Sequence, residues 1–206
     1  MIHSIFPTNI LIEDIDFTDE EISEMSVAIN AIFKSHEAIT GSHIISGEDS
    51  MPLFTDENIA VFPILKKLKK IFADGFYKLA DSNPNNGVTE ESIEIMMDNH
   101  AGRLPIMRNG DYKGIHSHPG STAFGILYLT DVDNKKDGGK LILRDPSFHT
   151  NPGFRSPMTY EVETKAGRLV IAPSYIWHEV TPYYGKEDRI TVVSNLVYVP
   201  ENLIQH

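Results

Sequence analysis

The sequence predicts a mainly β protein with N-terminal helices, built as a double-sheet jelly roll supported by two helices. Three observations lead there. Apolar residues in the first third recur at helical spacing, and those beyond about residue 90 alternate with period two. The alternating segments are also short and separated by glycine- and Asp/Asn-rich breakers. Seven or eight such strands suit a sandwich or barrel, and a double-sheet jelly roll buries one face of each sheet against the other.

The first helix is announced by Thr18-Asp19-Glu20-Glu21, a capping-box pattern with threonine at the cap and glutamate three residues on. Ile22, Met25, Ile29, Ile32 and Phe33 follow as its apolar stripe. A second helix is expected to begin near Pro63, which suits a first turn, with Leu65, Leu68, Ile71, Phe72 and Leu79 on its apolar side. Residues 40–60, with Gly41, Gly47 and Pro52, read as a loop, and residues 82–87 (SNPNNG) are the strongest breaker in the chain. Ile93, Ile95 and Met97 then open the period-two region. Further strands are expected near 103–107, 112–118, 123–131, 139–144, 158–164, 167–173 and 188–199.

At 206 residues the chain reads as one domain, 1–206, with a largely helical part over 1–88 and a β core over 89–206. The net charge of −11 argues against a nucleic-acid-binding surface, and the run Lys66, Lys67, Lys69 and Lys70 reads as a solvated helix face. There is no cysteine, which excludes disulfides and thiolate metal sites. Any metal must take N and O ligands, as iron, manganese or zinc do. The opening residues carry acids rather than a basic leader, and no apolar run reaches the length of a membrane span. The expected location is the cytoplasm, with no membrane partner; the oligomeric state is left open.

The chemistry concentrates in a few residues. His116-Ser117-His118 lies at the expected end of a strand, where residues i and i+2 share a face, so both rings point the same way. Pro119-Gly120 ends the strand beside them, and the apolar run Phe124-Gly125-Ile126-Leu127-Tyr128-Leu129 follows. His178 closes a segment launched by Gly167 and broken by Pro173, and it is the candidate for a third, distant ligand. Each histidine taken alone also reads as an ordinary surface or core residue. Arg189, Thr191 and Val193 are co-facial on the last strand. An inward Arg189 is costly unless an anion pairs with it, either a bound acid or a structural Asp or Glu. A guanidinium–carboxylate pair resolves that cost, and Thr191 adds a hydroxyl. His100 and His149 are further polar positions able to line a pocket.

Together these residues resemble the Fe(II)/2-oxoglutarate-dependent oxygenases, in particular the prolyl-hydroxylase-like branch and, within it, a bacterial and phage group with an HxHP motif. The resemblance runs through Ile5-Phe6-Pro7-Thr8, His116-Ser117-His118-Pro119, Gly125-Ile126-Leu127-Tyr128-Leu129 and Asp145-Pro146. It continues in Gly167-Arg168-Leu169-Val170-Ile171-Ala172-Pro173-Ser174, His178-Glu179-Val180, Arg189-Ile190-Thr191 and Asn195. It implies a double-stranded β-helix in which His116, His118 and His178 hold Fe(II). It further implies that Arg189 grips the distal carboxylate of the co-substrate 2-oxoglutarate, with Thr191 and Tyr128 assisting. The implied reaction uses O2 to hydroxylate a C–H bond of a small-molecule or peptide substrate, releasing succinate and CO2. One departure stands out: the family's usual HxD…H carries a carboxylate where this chain has His118. Either His118 is a ligand in a three-histidine site, or it lines the pocket and Asp145 or water takes the place.

Two other readings compete. A cupin-type three-histidine metalloenzyme without 2-oxoglutarate fits Gly110 six residues before His116, but Ala123 stands where its glutamate is expected, and Arg189 and Thr191 have no role there. A non-enzymatic jelly-roll binding domain with incidental histidines is the third.

Overall fold

The computed structural model describes residues 8–40, 53–82, 88–98, 102–146 and 158–197. Thirteen elements follow in the order β1 (Leu11–Asp14), α1 (Asp19–Thr40), α2 (Asp56–Val61), α3 (Ile64–Asp81), α4 (Glu90–Asp98), β2 (Ile106–Met107), β3 (Lys113–His116), β4 (Ala123–Tyr128), β5 (Leu141–Arg144), β6 (Thr159–Val162), β7 (Arg168–Pro173), β8 (His178–Val180) and β9 (Arg189–Leu196).

The expected capping box forms at α1: the Glu21 N–H donates to Thr18 Oγ1 (3.3 Å) and the Thr18 N–H to Glu21 Oε2 (3.1 Å). Met25, Ala28, Ile29 and Ile32 are buried, but Ile22, expected on the same stripe, is half exposed. Pro63 directly precedes α3, which buries Leu65, Leu68, Phe72 and Phe76. Within the expected loop 40–60 the structure has the short helix α2, capped by Thr55, whose Oγ1 accepts the Asn58 N–H at 3.1 Å.

One expectation is overturned. Residues 90–98 form helix α4, not a strand, so the β core begins beyond it rather than at residue 89. Ile93 and Met97 are four apart, a spacing that fits one helix face as well as alternation, and both are buried. The N-terminus decides the matter. Thr89 and Ser92 cap each other, Ser92 N–H to Thr89 Oγ1 at 3.1 Å and Thr89 N–H to Ser92 Oγ at 3.0 Å, and Glu90 and Glu91 occupy the first turn. Conversely, β1 lies inside the part read as helical and pairs with β7, Leu11 opposite Ile171 and Asp14 opposite Arg168.

The strands form two antiparallel sheets, a five-stranded one in the order β1-β7-β4-β9-β2 and a four-stranded one in the order β3-β8-β5-β6. Alternation sorts the side chains of the larger sheet. Leu127, Leu169, Ile171, Val192 and Leu196 pack against the helices with Phe72 and Phe76. Phe124, Ile126, Tyr128, Val170 and Ala172 face the smaller sheet, meeting Leu141, Leu143 and Val162. Gly125 sets how closely α3 approaches: a Cβ there would lie 2.6 Å from Ile171 Cδ1 and 2.8 Å from Phe72 Cδ1. The result is a jelly roll whose inner space lies between the two sheets, with helices on the outer face of the larger one. No helix among the described residues is long and apolar enough to cross a membrane.

Candidate active site

His116 ends β3 and lies directly opposite His178 at the start of β8. Further along, Lys113 lies opposite Val180, so two residues of β3, Gly114 and Ile115, stand where β8 has only Glu179. The bulge lets Lys113 and His116, an odd number apart, turn toward the same interior face. His118 lies beyond the strand end, not on it as alternation suggested; its N–H donates to Ser174 O (3.1 Å) and its carbonyl accepts from Ser121 N–H (3.2 Å). The two histidines of the motif therefore converge through a turn rather than through the pleat.

The three rings meet. Their ligand-capable nitrogens lie within 4.8 Å of one another, and no carboxylate among the described residues, Asp145 included, belongs to the group. His116 Nδ1 is 2.8 Å from Gly114 O and His178 Nδ1 is 3.0 Å from Ile176 O. In these pairs the ring N–H donates to the carbonyl, which puts the lone pair of each Nε2 toward the shared centre. The Nε2 atoms of His118 and His178 are 3.3 Å apart. Phe124 stacks on both rings, at 4.2 Å from His178 and 4.8 Å from His118 between centroids, and so fixes their planes. Burial disfavours the imidazolium forms: it brings His178 down to about 3 and, with help from His116 and the charges of Arg103 and Lys113, His118 to about 4; His116 is lowered too. All three are neutral near pH 7, the form that coordinates a metal.

Arg189 opens β9 and is 2% exposed, with no carboxylate partner among the described residues. Its Nη1 lies 3.3 Å from Met107 Sδ, and its Nε has no hydrogen-bond partner. The guanidinium sits 5.2 Å from the ring centroid of Tyr128, a fully buried residue whose hydroxyl is also unpartnered. Desolvation pushes the Arg189 pKa down and the Tyr128 pKa up, the cost of holding these groups away from water. Thr191, 2% exposed, pairs with Tyr128 across β9 and β4, and its Oγ1 makes only a long contact (3.5 Å) with Pro105 O. A buried cation beside unfilled donors is the chemistry of a carboxylate site.

A cavity of about 600 Å³ joins the two centres and is lined by the three histidines together with Arg189 and Thr191; Tyr128 is not among its lining residues and stands behind Arg189, in contact with its guanidinium. Asn195, whose Oδ1 is buried without a partner, lines it as well, as do Arg103 and Lys113. Sequence reasoning gave no role to these three, nor to Phe124. The signal for Phe124 and Asn195 was present, since each shares a strand face with Tyr128 or Arg189. Arg103 and Lys113 needed the bulge and the pairing of an isolated bridge, neither of which is local. His100 and His149 lie outside the described residues, as do residues 5–7, 41–52 and 147–157.

Residues 104–195 match the sequence profile of the family described as "Putative 2OG-Fe(II) oxygenase". No curated protein sequence matches the chain. Among solved structures, a prolyl-4-hydroxylase from Pseudomonas putida is 15% identical with a TM-score of 0.55, covering 94% of this chain and 89% of its own. A prolyl hydroxylase from Trichoplax adhaerens, in complex with a hypoxia inducible factor peptide fragment, is 14% identical with a TM-score of 0.63, over 91% and 83%. HygX from Streptomyces hygroscopicus, with nickel and 2-oxoglutarate bound, is 11% identical with a TM-score of 0.57, over 91% and 81%. At these identities the likenesses show the shared fold, the double-stranded β-helix. The family match over residues 104–195 runs from the approach to β2 nearly to the end of β9 and takes in the three histidines, Arg189, Thr191 and Tyr128, so the part of this chain that carries the site is similar to the 2OG-Fe(II) oxygenases.

Proposed function

We propose that His116, His118 and His178 hold Fe(II), and that Arg189, assisted by Thr191 and Tyr128, receives the far carboxylate of 2-oxoglutarate. The reaction is the O2-dependent hydroxylation of a C–H bond in a small-molecule or peptide substrate, with release of succinate and CO2. The observation that carries this reading is the buried, carboxylate-free Arg189 in the same cavity as three neutral imidazoles. A charge so placed costs several kcal/mol by its desolvation, on the order expected for an unpaired buried ion, and a bound dicarboxylate offsets it. Bound in this site, Fe(II) with 2-oxoglutarate would supply the oxidising power of the family.

The protein's own share is positional. Carbonyl partners at Gly114 and Ile176 fix which nitrogens of His116 and His178 face the centre, and the Phe124 stack holds the rings of His178 and His118. Three imidazoles bring no negative charge, so the co-substrate's carboxylates carry the neutralisation of metal and guanidinium together. The cavity has room for a second molecule beside 2-oxoglutarate, and the peptide seen with the Trichoplax enzyme supports a peptide substrate. The chain's net charge of −11 supports a substrate other than nucleic acid, and the cytoplasm is the proposed place of action.

The experiment is a turnover assay. Fe(II)-loaded protein given 2-oxoglutarate in air should release succinate slowly even without substrate, and Zn(II)-loaded protein should release none. Equal succinate from both would remove the assignment.

A further inference from the structure

The cavity is lined in part by β2 and β3, which stand at the edges of the two sheets among the described residues. Each edge carries a cation to the mouth. On the larger sheet, Arg103 bridges Val193 through both backbone hydrogen bonds, 2.7 and 2.8 Å, so its side chain shares the inward face of Val193 and Thr191. On the smaller sheet, the bulge turns Lys113 inward opposite Val180. Both residues are exposed and line the cavity, and neither has an ion-pair or side-chain hydrogen-bond partner among the described residues. Asp111 is the only acid among the described lining residues; its Oδ2 accepts the Arg108 N–H at 2.7 Å and closes a turn.

With a divalent metal on neutral imidazoles, Arg189, Arg103, Lys113 and Asp111 bring the cavity to a net +4, and doubly charged 2-oxoglutarate leaves +2. In a chain of net charge −11, such a local excess of positive charge is not a by-product of composition. It is the footprint of a second anion.

We propose that the substrate carries an anionic group, a carboxylate or a phosphate, held between Arg103 and Lys113 at the cavity mouth while the carbon to be oxidised reaches inward to the histidines. This rests on the oxygenase reading above. Arg103 and Lys113 are specificity-determining residues that clamp the substrate from opposite sheets, and Arg189 remains reserved for the co-substrate. Neutral analogues of the same shape are discriminated against at the mouth.

The test uses protein loaded with Zn(II) and saturating 2-oxoglutarate, titrated with inorganic phosphate, N-acetylglycylglycine and its C-terminal amide, and followed by backbone amide NMR shifts. At least one anion should bind, with shifts at residues 103 and 113, and the amide should not. Binding of the dipeptide alone assigns a carboxylate, and binding of phosphate alone a phosphate. Arg103→Gln and Lys113→Gln should each weaken the anion by roughly fivefold or more, with 2-oxoglutarate affinity unchanged. If neither anion binds, or if the variants bind it as the wild type does, the proposal is overturned. A loss of 2-oxoglutarate binding in the wild type would instead strike the oxygenase site itself, so the two failures are distinguishable.

Discussion

His116 and His178 face each other across the β3–β8 ladder with ring centroids 4.3 Å apart, each with its Nδ1 against a backbone carbonyl two residues earlier in its own chain segment. That repeated local arrangement prepares both Nε2 atoms for one centre. Metal affinity should therefore depend on each ring. His116→Ala or His178→Ala should lower Zn(II) or Fe(II) affinity by about tenfold or more, measured by competition with a chelating dye, with far-ultraviolet circular dichroism unchanged.

His118 reaches the cluster from a turn, and its replacement separates the two roles the sequence left open. His118→Asp places a carboxylate in the same position and adds the negative charge that the site lacks. Fe(II) affinity should rise or hold in this variant and fall in His118→Ala. Indifference of metal loading to both substitutions would show that His118 only lines the pocket.

Arg189 is the co-substrate's anchor in this account. Arg189→Gln should weaken 2-oxoglutarate binding by about a hundredfold, corresponding to loss of a buried charge-assisted pair worth about 2–3 kcal/mol, and leave metal affinity intact. Tyr128→Phe removes a single hydroxyl and should cost several-fold less. Isothermal titration of metal-loaded protein reads both.

Acid should destabilise the metal-free protein in a defined window. His118 and His178 titrate at about 4 and about 3 in the folded state against an ordinary value of 6.5, so below pH 6.5 the unfolded chain binds protons that the folded one refuses. Stability from these groups is complete above 6.5 and is lost as pH falls toward 4 and then 3. The stability from Asp14, held below the usual carboxylate range by Arg168 and Lys165, is fully present above its ordinary value of 3.8 and is lost only below it, outside this window. Thermal melts between pH 7.5 and 4.5 should show a falling Tm in the wild type. The His118→Gln/His178→Gln double variant should show a flatter profile; an equally steep one would refute the cause.

Packing between helix and sheet is tested at Gly125. Gly125→Ala puts a methyl into Phe72 and Ile171, and such overpacking should cost about 1–3 kcal/mol, a Tm loss of several degrees. An unchanged Tm would mean that α3 shifts away without penalty.

Much of the fold and site was legible in the sequence because the signals were local. The Thr18–Glu21 box, the Pro63 start and the alternation that makes Arg189 and Thr191 co-facial are written in adjacent residues. Arg189 and Thr191 are indeed buried together on the inner face, while Ile190 packs toward the helices. What escaped depended on partners far along the chain. β1 is a four-residue strand that exists because β7 offers it an edge, and β8 is three residues long with too little pattern to recognise. α4 escaped because Ile93 and Met97 satisfy both periods, and only the Thr89–Ser92 cap separates them. The bulge that brings Lys113 to the cavity changes the face of every residue before it, which alternation alone could not foresee.

Whether three imidazoles and Arg189 make one iron and 2-oxoglutarate site is read out by anaerobic titration of the Fe(II)-loaded protein with 2-oxoglutarate. A visible charge-transfer band from the metal-chelated oxoacid should grow in and saturate, vanish in His178→Ala, and need far more 2-oxoglutarate in Arg189→Gln. No band in protein shown to hold Fe(II), or a band unchanged by Arg189→Gln, would contradict the account.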